Sequence, residues 1–114
     1  MKVFNKIKGQ RGEDLSAAFL KKNGYKILCR NYRNKIGEID IIAEKKNCII
    51  FVEVKARSSA MFGLPSEAVD DKKQAKIRRV AEVFMLDKKY QNKEVCFDVI
   101  EVLDDEINHI ENAF

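Results

Sequence analysis

The sequence predicts a single α/β or α+β domain over residues 1–114, with a mixed central β-sheet flanked by helices. The chain of 114 residues is long enough for one hydrophobic core and too short for two domains. Runs of branched and aromatic residues alternate with segments of helical spacing, in the order helix, three strands, helix, strand. The apolar content of 46% is ordinary for a globular protein.

The first predicted element is a helix over Gly9–Asn23. Glu13 lies in its first turn, where a carboxylate is favoured by the positive end of the helix dipole. Glu13 also shares a stripe of helical spacing with Ala17 and Leu20, so it can instead face inward along a partly apolar surface. Both interpretations of Glu13 stay open at this point.

The strands are predicted from alternation and from branched residues. Tyr25–Tyr32 is the first strand, and Ile36–Arg57 contains two more, joined by a polar turn at Lys45–Asn47. Glu94–Val102 alternates well enough for a fourth strand, and Asp105–Phe114 is expected to add a short edge element. Together these segments account for the predicted sheet.

A second helix is predicted over Asp70–Lys89, with Asp70 or Asp71 as its N-cap. Its apolar residues follow helical spacing: Ile77, Val80, Ala81 and Phe84. Its first half carries the cations Lys72, Lys73, Lys76, Arg78 and Arg79. Such a cluster is either a solvated basic face or a surface that contacts phosphates. The segment Ser58–Val69 before this helix is rich in small and turn residues and is the longest irregular stretch.

Composition limits the class of protein. The net charge is +4, which is compatible with a polyanionic partner without requiring one. Cys29, Cys48 and Cys96 are odd in number and lack CxxC spacing, so we expect buried free thiols in a reducing compartment. The sequence has no apolar run of about 18 residues and no hydrophobic segment at its start of the kind that a secretory signal needs. We therefore expect a cytoplasmic protein without a membrane anchor.

Two ionisable residues near the end of the chain are harder to place. Asp98 shares a strand face with Cys96 and Ile100, so it is either an edge residue or buried with a partner. His109 is the only histidine and has no Cys or His neighbour at metal-ligand spacing. We expect His109 at the surface.

The candidate site lies in the central hairpin. Alternation places Glu38, Asp40, Ile42 and Glu44 on one face of its first strand, and Ile39, Ile41 and Ala43 on the other. With the loop centred on Lys46 and Asn47, Asp40 lies across from Glu53 and Glu38 lies across from Lys55. Two carboxylates ~5 Å apart repel by roughly 3 kcal/mol at an effective dielectric near 20. A divalent cation converts this repulsion into a binding site.

Carboxylate oxygens suit Mg²⁺ or Mn²⁺, which keep several waters and bind phosphate oxygens at the same time. Lys55 follows Glu53 by two residues and points to the same side, where it can orient or deprotonate a water nucleophile. This arrangement is typical of phosphodiester hydrolases. The alternative is a set of surface salt bridges in which Glu38 pairs with Lys55, while Asp40 and Glu53 are solvated. The residues alone leave both open.

The segments GEIDIIA (37–43) and FVEVKAR (51–57) resemble the Asp and Glu-x-Lys motifs of the PD-(D/E)XK nuclease superfamily, whose core is restriction-endonuclease-like. More closely, the chain resembles the YraN-like family of small bacterial proteins, related to archaeal Holliday-junction resolvases. Further blocks extend this resemblance over nearly the whole chain: GQRGEDLSAAFLKKNGYKIL (9–28), FGLPSEAVDDKKQAKI (62–77), FDVIEV (97–102) and HIENAF (109–114).

The resemblance implies roles for individual residues. Asp40 and Glu53 would bind Mg²⁺ or Mn²⁺ together with the Val54 carbonyl, Lys55 would be the catalytic lysine, and Glu13 would be an acidic residue turned toward the site. Candidate nucleic-acid contacts are Arg11, Arg57, Lys72, Lys73, Gln74 and Lys76.

These roles lead to a functional expectation with one main alternative. The expected function is metal-dependent endonuclease action on branched or structured DNA, with RNA left open as a substrate. By analogy with junction resolvases, a homodimer is also expected. The main alternative is a nucleic-acid-binding module that keeps a nuclease-like fold with little or no catalysis. A third hypothesis is a structural or interaction protein.

Overall fold

The strands of the central sheet follow one another in space as they do in the sequence. The structure, a computed structural model, describes residues 2–57 and 69–114, with side chains described from residue 10 onward in the first helix. Within these residues the elements are α1 (Lys2–Lys22), β1 (Lys26–Arg33), β2 (Glu38–Lys45), β3 (Cys48–Arg57), α2 (Asp71–Phe84), a 3₁₀ turn (Lys88–Tyr90), β4 (Glu94–Leu103) and β5 (Glu106–Ile110). The sheet order is β1-β2-β3-β4-β5.

The sheet is mixed, as predicted. β1 pairs with β2, β2 with β3, and β4 with β5 in antiparallel fashion, whereas β3 and β4 run parallel. A parallel pair needs a crossover connection, and α2 lies within the one that joins β3 to β4. The register between β1 and β2 shifts once, between Ile27 and Cys29.

Each face of the sheet carries its own apolar cluster under one helix. On the α1 side the buried residues include Ala17, Leu20, Ile41, Val52 and Ile100. On the α2 side they include Ile39, Phe51, Ile77, Val80 and Phe97. α1 therefore buries the stripe that Glu13 shares with Ala17 and Leu20, and Glu13 itself is buried. Of the two interpretations of Glu13, the inward-facing one is confirmed.

The predicted elements are all present, with shifted ends. The first helix begins at Lys2, seven residues before the predicted Gly9. The second is capped at Asp70, whose Oδ1 accepts a hydrogen bond from the Lys73 N–H at 2.8 Å. It ends at Phe84 instead of Lys89, and the Asp87 side chain caps the separate 3₁₀ turn that follows. Residues 58–68 of the predicted irregular segment lie outside the described residues.

The expectation of three free thiols is wrong for two of them. Cys48, the first residue of β3, and Cys96, the third residue of β4, form a disulfide with Cα atoms 6.7 Å apart. Cys29 is free. In the parallel register, Cys96 lies opposite Ile50, two residues from Cys48 and on the same face. The sequence contains no direct signal for the pairing of these two distant strands.

None of the helices in residues 2–57 and 69–114 combines the length and the apolar character needed to cross a membrane.

Candidate metal centre

The regular backbone pairing of β2 with β3 ends at Ile41, the residue next to Asp40. It runs from Lys45 opposite Cys48 to Ile41 opposite Val52. The next positions in this register are Asp40 and Glu53, but the ladder is not continued there. Instead Asp40 Oδ2 accepts a hydrogen bond from the Val54 N–H at 2.8 Å. The Asp40 carboxyl thus takes the place of a backbone acceptor at the point where the two strands separate.

A break in strand alternation turns Asp40 toward α1. Ile39 and Ile42 pack on the α2 side, whereas Ile41 packs on the α1 side. The predicted face shared by Ile39 and Ile41 is therefore wrong. Opposite this point, between the pairs that Arg30 and Tyr32 form with β2, Asn31 has a φ of 55°. A left-handed residue disrupts the two-residue period of a strand, and asparagine is among the few residues that adopt this conformation readily.

The carboxyl groups of Asp40 and Glu53 meet at this opening. Burial raises the pKa of Asp40 to about 8, and a hydrogen bond with Glu53 and the charge of Glu53 act in the same direction. The Val54 N–H opposes the shift, and the charge of Glu13 adds to it. Without a bound cation, burial and the neighbouring carboxylate therefore favour the protonated form of Asp40. The predicted convergence of the two carboxyl groups from neighbouring strands is present in the structure.

A lysine from α2 contacts the second carboxylate. Lys73 Nζ forms an ion pair with Glu53 Oε2, and the exposed fractions of the two side chains are 50% and 9%. Burial lowers the pKa of Lys73, but the hydrogen bond and charge of Glu53, together with the charges of Asp40 and Asp70, outweigh it, and the pKa is raised. Lys73 stands in the first turn of α2, which reaches the sheet beside β3.

Glu13 lies on the other side of the opening and is held by two side chains of β1. Its Oε1 accepts hydrogen bonds from Arg30 Nε and Asn31 Nδ2, both at 2.9 Å. A cavity of about 310 Å³ separates α1 from the strand ends. Its lining consists of Gln10, Glu13, Asn31, Glu38, Asp40, Val54 and Ala56. Glu13, Asp40 and Val54 therefore face one shared space.

Gly12 brings Glu13 to this cavity. A Cβ atom built on Gly12 falls 2.7 Å from the Cβ of Ala56, a distance that side chains do not tolerate. Only glycine therefore permits this close approach of α1 to β3. Because Glu13 is the next residue, the close helix–strand crossing carries its carboxylate to the end of β3.

Lys55, the remaining residue of the predicted catalytic set, lies on β3. Lys55 is half-buried and lies two residues after Glu53, on the same face of the strand. The salt bridge between Glu38 and Lys55 that the alternative interpretation requires is absent from the described residues, because the Glu38 carboxylate accepts two hydrogen bonds from Arg33 instead.

The candidate nucleic-acid contacts differ in their surroundings. Lys72, Lys73 and Lys76 are exposed along α2. Gln74 donates a hydrogen bond to the Val69 carbonyl at 2.7 Å, and Arg11 forms an ion pair with Asp105 at 2.8 Å. Arg57 is half-buried at the end of β3. Arg78, another cation of the predicted basic face, lies 4.7 Å from the centre of the Phe97 ring. Lys72, Lys73, Lys76 and Arg11 are thus the exposed members of this set, and Arg11 is the one already paired with Asp105.

A second buried ionisable pair lies on the β4–β5 side of the sheet. His109 Nε2 and Asp98 Oδ2 are 2.7 Å apart, and Asp98 Oδ1 also accepts a hydrogen bond from the Asn112 N–H. The His109 side chain is only 11% exposed, so the expectation of a surface histidine is wrong. Antiparallel pairing of β5 with β4 sets His109 opposite Ile100, within reach of Asp98. Of the two alternatives for Asp98, burial with a partner is confirmed.

The carboxylate pair fits a hard divalent cation. No group of three or more His, Cys, Asp or Glu side chains that could hold a metal occurs in residues 2–57 and 69–114. Mg²⁺ commonly takes only one or two carboxylates and keeps several waters, so Asp40, Glu53 and a backbone carbonyl form a suitable donor set. Zinc, which prefers Cys and His ligands in a closed tetrahedron, does not match it.

The fold and this site define a class: an α+β protein with a five-stranded mixed sheet that is compatible with a restriction-endonuclease-like core. The family model of the uncharacterised protein family UPF0102 matches residues 12–102, and the chain belongs to this family. The resemblance to the YraN-like family is thereby confirmed.

Similar proteins occur in several bacteria. A UPF0102 protein of Persephonella marina is 44% identical over 112 residues, which cover 98% of this chain and 97% of the relative. One from Caldanaerobacter subterraneus is 51% identical over 120 residues, with 99% and 98% covered. One from Clostridioides difficile is 52% identical over 112 residues, with 96% and 98% covered. The similarity therefore spans the full chain on both sides.

Proposed function

We propose that this protein is a metal-dependent endonuclease that hydrolyses phosphodiester bonds in branched or otherwise structured DNA. The observation that carries the proposal is the contact between the Asp40 and Glu53 carboxyl groups where the β2–β3 ladder ends. Lys55 follows on the Glu53 face of β3, so two acids and an amine come from one hairpin. The resemblance of these residues to the nuclease motifs supports the same assignment.

A cation would relieve the repulsion within the acid pair. The raised pKa of Asp40 reflects a buried site that disfavours two adjacent negative charges. Asp40, Glu53 and the Val54 carbonyl would hold Mg²⁺ or Mn²⁺. When bound, such an ion supplies a water of lowered pKa and neutralises charge on the phosphate.

The protein's own side chains would then position the reactants. The Lys55 ammonium can donate a hydrogen bond to a phosphate oxygen or orient the attacking water. Glu13 is fixed by Arg30 and Asn31 and faces the same cavity as Asp40, where its carboxylate can accept a hydrogen bond from a water. Because the Glu13 carboxylate is already paired with the Arg30 guanidinium, it provides a hydrogen-bond acceptor in the cavity and adds little net negative charge there.

The surface beside the site favours contacts with the phosphate backbone of DNA over contacts with its bases. Lys72 and Lys76 are exposed on the helix that delivers Lys73 to Glu53. Lysines of this kind contact phosphates and carry no sequence information, so shape and charge would select the substrate. Branched DNA offers closely spaced backbones for such a surface.

The test is cleavage of a synthetic four-way junction with and without Mg²⁺ or Mn²⁺. The wild type should cleave only with metal, and Lys55→Met should lower the rate by about 100-fold or more while junction affinity is kept. Lys88→Met, a change of the same kind in the exposed 3₁₀ turn, is the matched control and should cleave like the wild type.

Calorimetry with Mn²⁺ gives an independent readout of the site. The wild type should bind the ion, and Asp40→Asn should bind it at least tenfold more weakly. Cleavage that survives in Lys55→Met would remove the proposed role of Lys55. Salt-dependent junction binding without any cleavage, with or without metal, would instead favour the binding-module alternative.

A further inference from the structure

The ion pair between Lys73 and Glu53 places a cation of the protein on a carboxylate that the proposed function assigns to a metal. We propose that Lys73 is a displaceable counterion: it neutralises Glu53 when no divalent ion is bound, and the ion releases it to contact a DNA phosphate. This inference rests on the metal-dependent function proposed above. It makes Lys73 a link between metal binding and DNA binding.

The two partners of this ion pair differ in burial, so only one of them can move into solvent at low cost. The Glu53 side chain is 9% exposed, so its charge needs a partner at all times. The Lys73 side chain is 50% exposed and ends in an ammonium that water solvates well. Lys73 can therefore leave at low cost when another cation takes its place, whereas Glu53 cannot move into solvent.

The backbone of Lys73 is anchored by contacts that do not involve its side chain. Asp70 caps α2 by accepting the Lys73 N–H at 2.8 Å, and Gln74 binds the Val69 carbonyl beside it. The start of α2 is thus held by Val69 and Asp70, the two described residues directly before it. The four-carbon stem of Lys73 spans from this fixed point to Glu53 and can rotate away without any change in the helix.

The released ammonium would join an existing basic surface. Lys72 and Lys76 lie on the same half of α2 and are exposed, and neither forms an ion pair within the described residues. Without a divalent ion, two of these three lysines are available to phosphates, and with the ion all three are. Metal binding would therefore raise the affinity for DNA through the protein as well as through the ion itself.

Calorimetry with Mn²⁺ tests the first half of this proposal. Lys73→Met removes the competing charge and keeps the length of the side chain, so Mn²⁺ should bind about threefold to fivefold more tightly than to the wild type, the range expected for a partly exposed ion pair. Lys72→Met loses the same charge at the adjacent residue and should change the affinity by less than about twofold. Lys73→Arg keeps a counterion and should bind Mn²⁺ like the wild type.

Junction binding tests the second half. In a Lys55→Met background, saturating Mn²⁺ should raise the affinity for a four-way junction, and adding Lys73→Met should reduce that increase about fivefold. Adding Lys72→Met should instead weaken binding by the same factor with and without Mn²⁺. Thermal unfolding of each variant confirms that it is folded under the assay conditions.

The outcomes separate this inference from the proposed function. If the wild type binds no Mn²⁺, both are overturned. If the wild type binds Mn²⁺ but Lys73→Met binds it equally or more weakly, only the counterion role is overturned, and Lys73 then acts as a support that orients Glu53. A loss of junction affinity in Lys73→Met that is the same in both metal states also overturns it.

Discussion

Replacing Asp40 with Asn should remove a pH dependence from the stability of the metal-free protein. Asparagine has the shape of a protonated aspartate: its Oδ1 can accept the Val54 N–H, and its amide can donate to Glu53. The variant therefore reproduces the wild-type site at low pH and keeps it unchanged at high pH. The difference in free energy of unfolding between the two proteins isolates the titration of Asp40.

The size and sign of the effect follow from the pKa of Asp40, which is raised from its ordinary value of 3.8 to about 8. A carboxyl with a raised pKa gives its full stabilisation below the unfolded-state pKa and loses it as the pH rises toward the folded-state pKa. Between these limits the loss is about 1.4 kcal/mol per pH unit. From pH 5.5 to 7.5 the wild type should therefore lose about 3 kcal/mol relative to Asp40→Asn.

Urea unfolding at pH 5.5, 6.5 and 7.5 in the presence of a chelator measures this difference. Asp105→Asn is the matched control, because Arg11 lowers the pKa of that exposed carboxyl and it does not titrate in this range. The two curves for wild type and Asp40→Asn should diverge as the pH rises. If the difference in free energy of unfolding between the two proteins stayed constant from pH 5.5 to 7.5, the coupling of Asp40 with Glu53 that underlies the proposed metal site would be refuted.

Two further substitutions test how the site and the sheet are held. Gly12→Ala should destabilise the protein by about 1–3 kcal/mol in urea unfolding, because its Cβ would meet that of Ala56, and Ala56→Gly should partly restore the loss. An unchanged stability would mean that α1 is free to shift away from β3. His109→Ala should cost about 1–3 kcal/mol at pH 7, because buried Asp98 keeps only one of its two hydrogen-bond partners. A change below about 0.5 kcal/mol, the range of an ordinary surface substitution, would show that water replaces the imidazole freely.

Local features of the site could be read from the sequence. The turn after Lys45 and the branched residues on both sides of it predict the hairpin, whose register places Asp40 and Glu53 one position beyond the last pair, Ile41 with Val52. That register depends on residues close together in the chain, and each strand carries its own pattern. The sequence narrows the N-cap to Asp70 or Asp71 for the same reason, since a cap is formed by residues within one turn of the helix, and the structure selects Asp70.

Features that depend on contacts between residues far apart in the chain could not be predicted from the sequence. The turn of Asp40 toward α1 accompanies a break in the alternation of β2, and the left-handed Asn31 lies opposite it on β1; neither irregularity is signalled by the strand-like run that contains it. The roles of Arg30 and Asn31 as partners of Glu13 were missed because they need the packing of α1 against β1. The burial of His109 follows from the pairing of β5 with β4, which no local pattern specifies.

The irregular course of β1 has a consequence for the protein in concentrated solution. β1 borders the sheet on one side, and its outward backbone groups could template a strand from another molecule. The register shift beside Leu28 and the left-handed Asn31 interrupt this border, and Lys26, Arg30 and Arg33 place charged side chains along it, of which Arg30 is paired with Glu13 and Arg33 with Glu38. A straight strand from another molecule would therefore meet an interrupted row of backbone groups, which disfavours strand addition at this border.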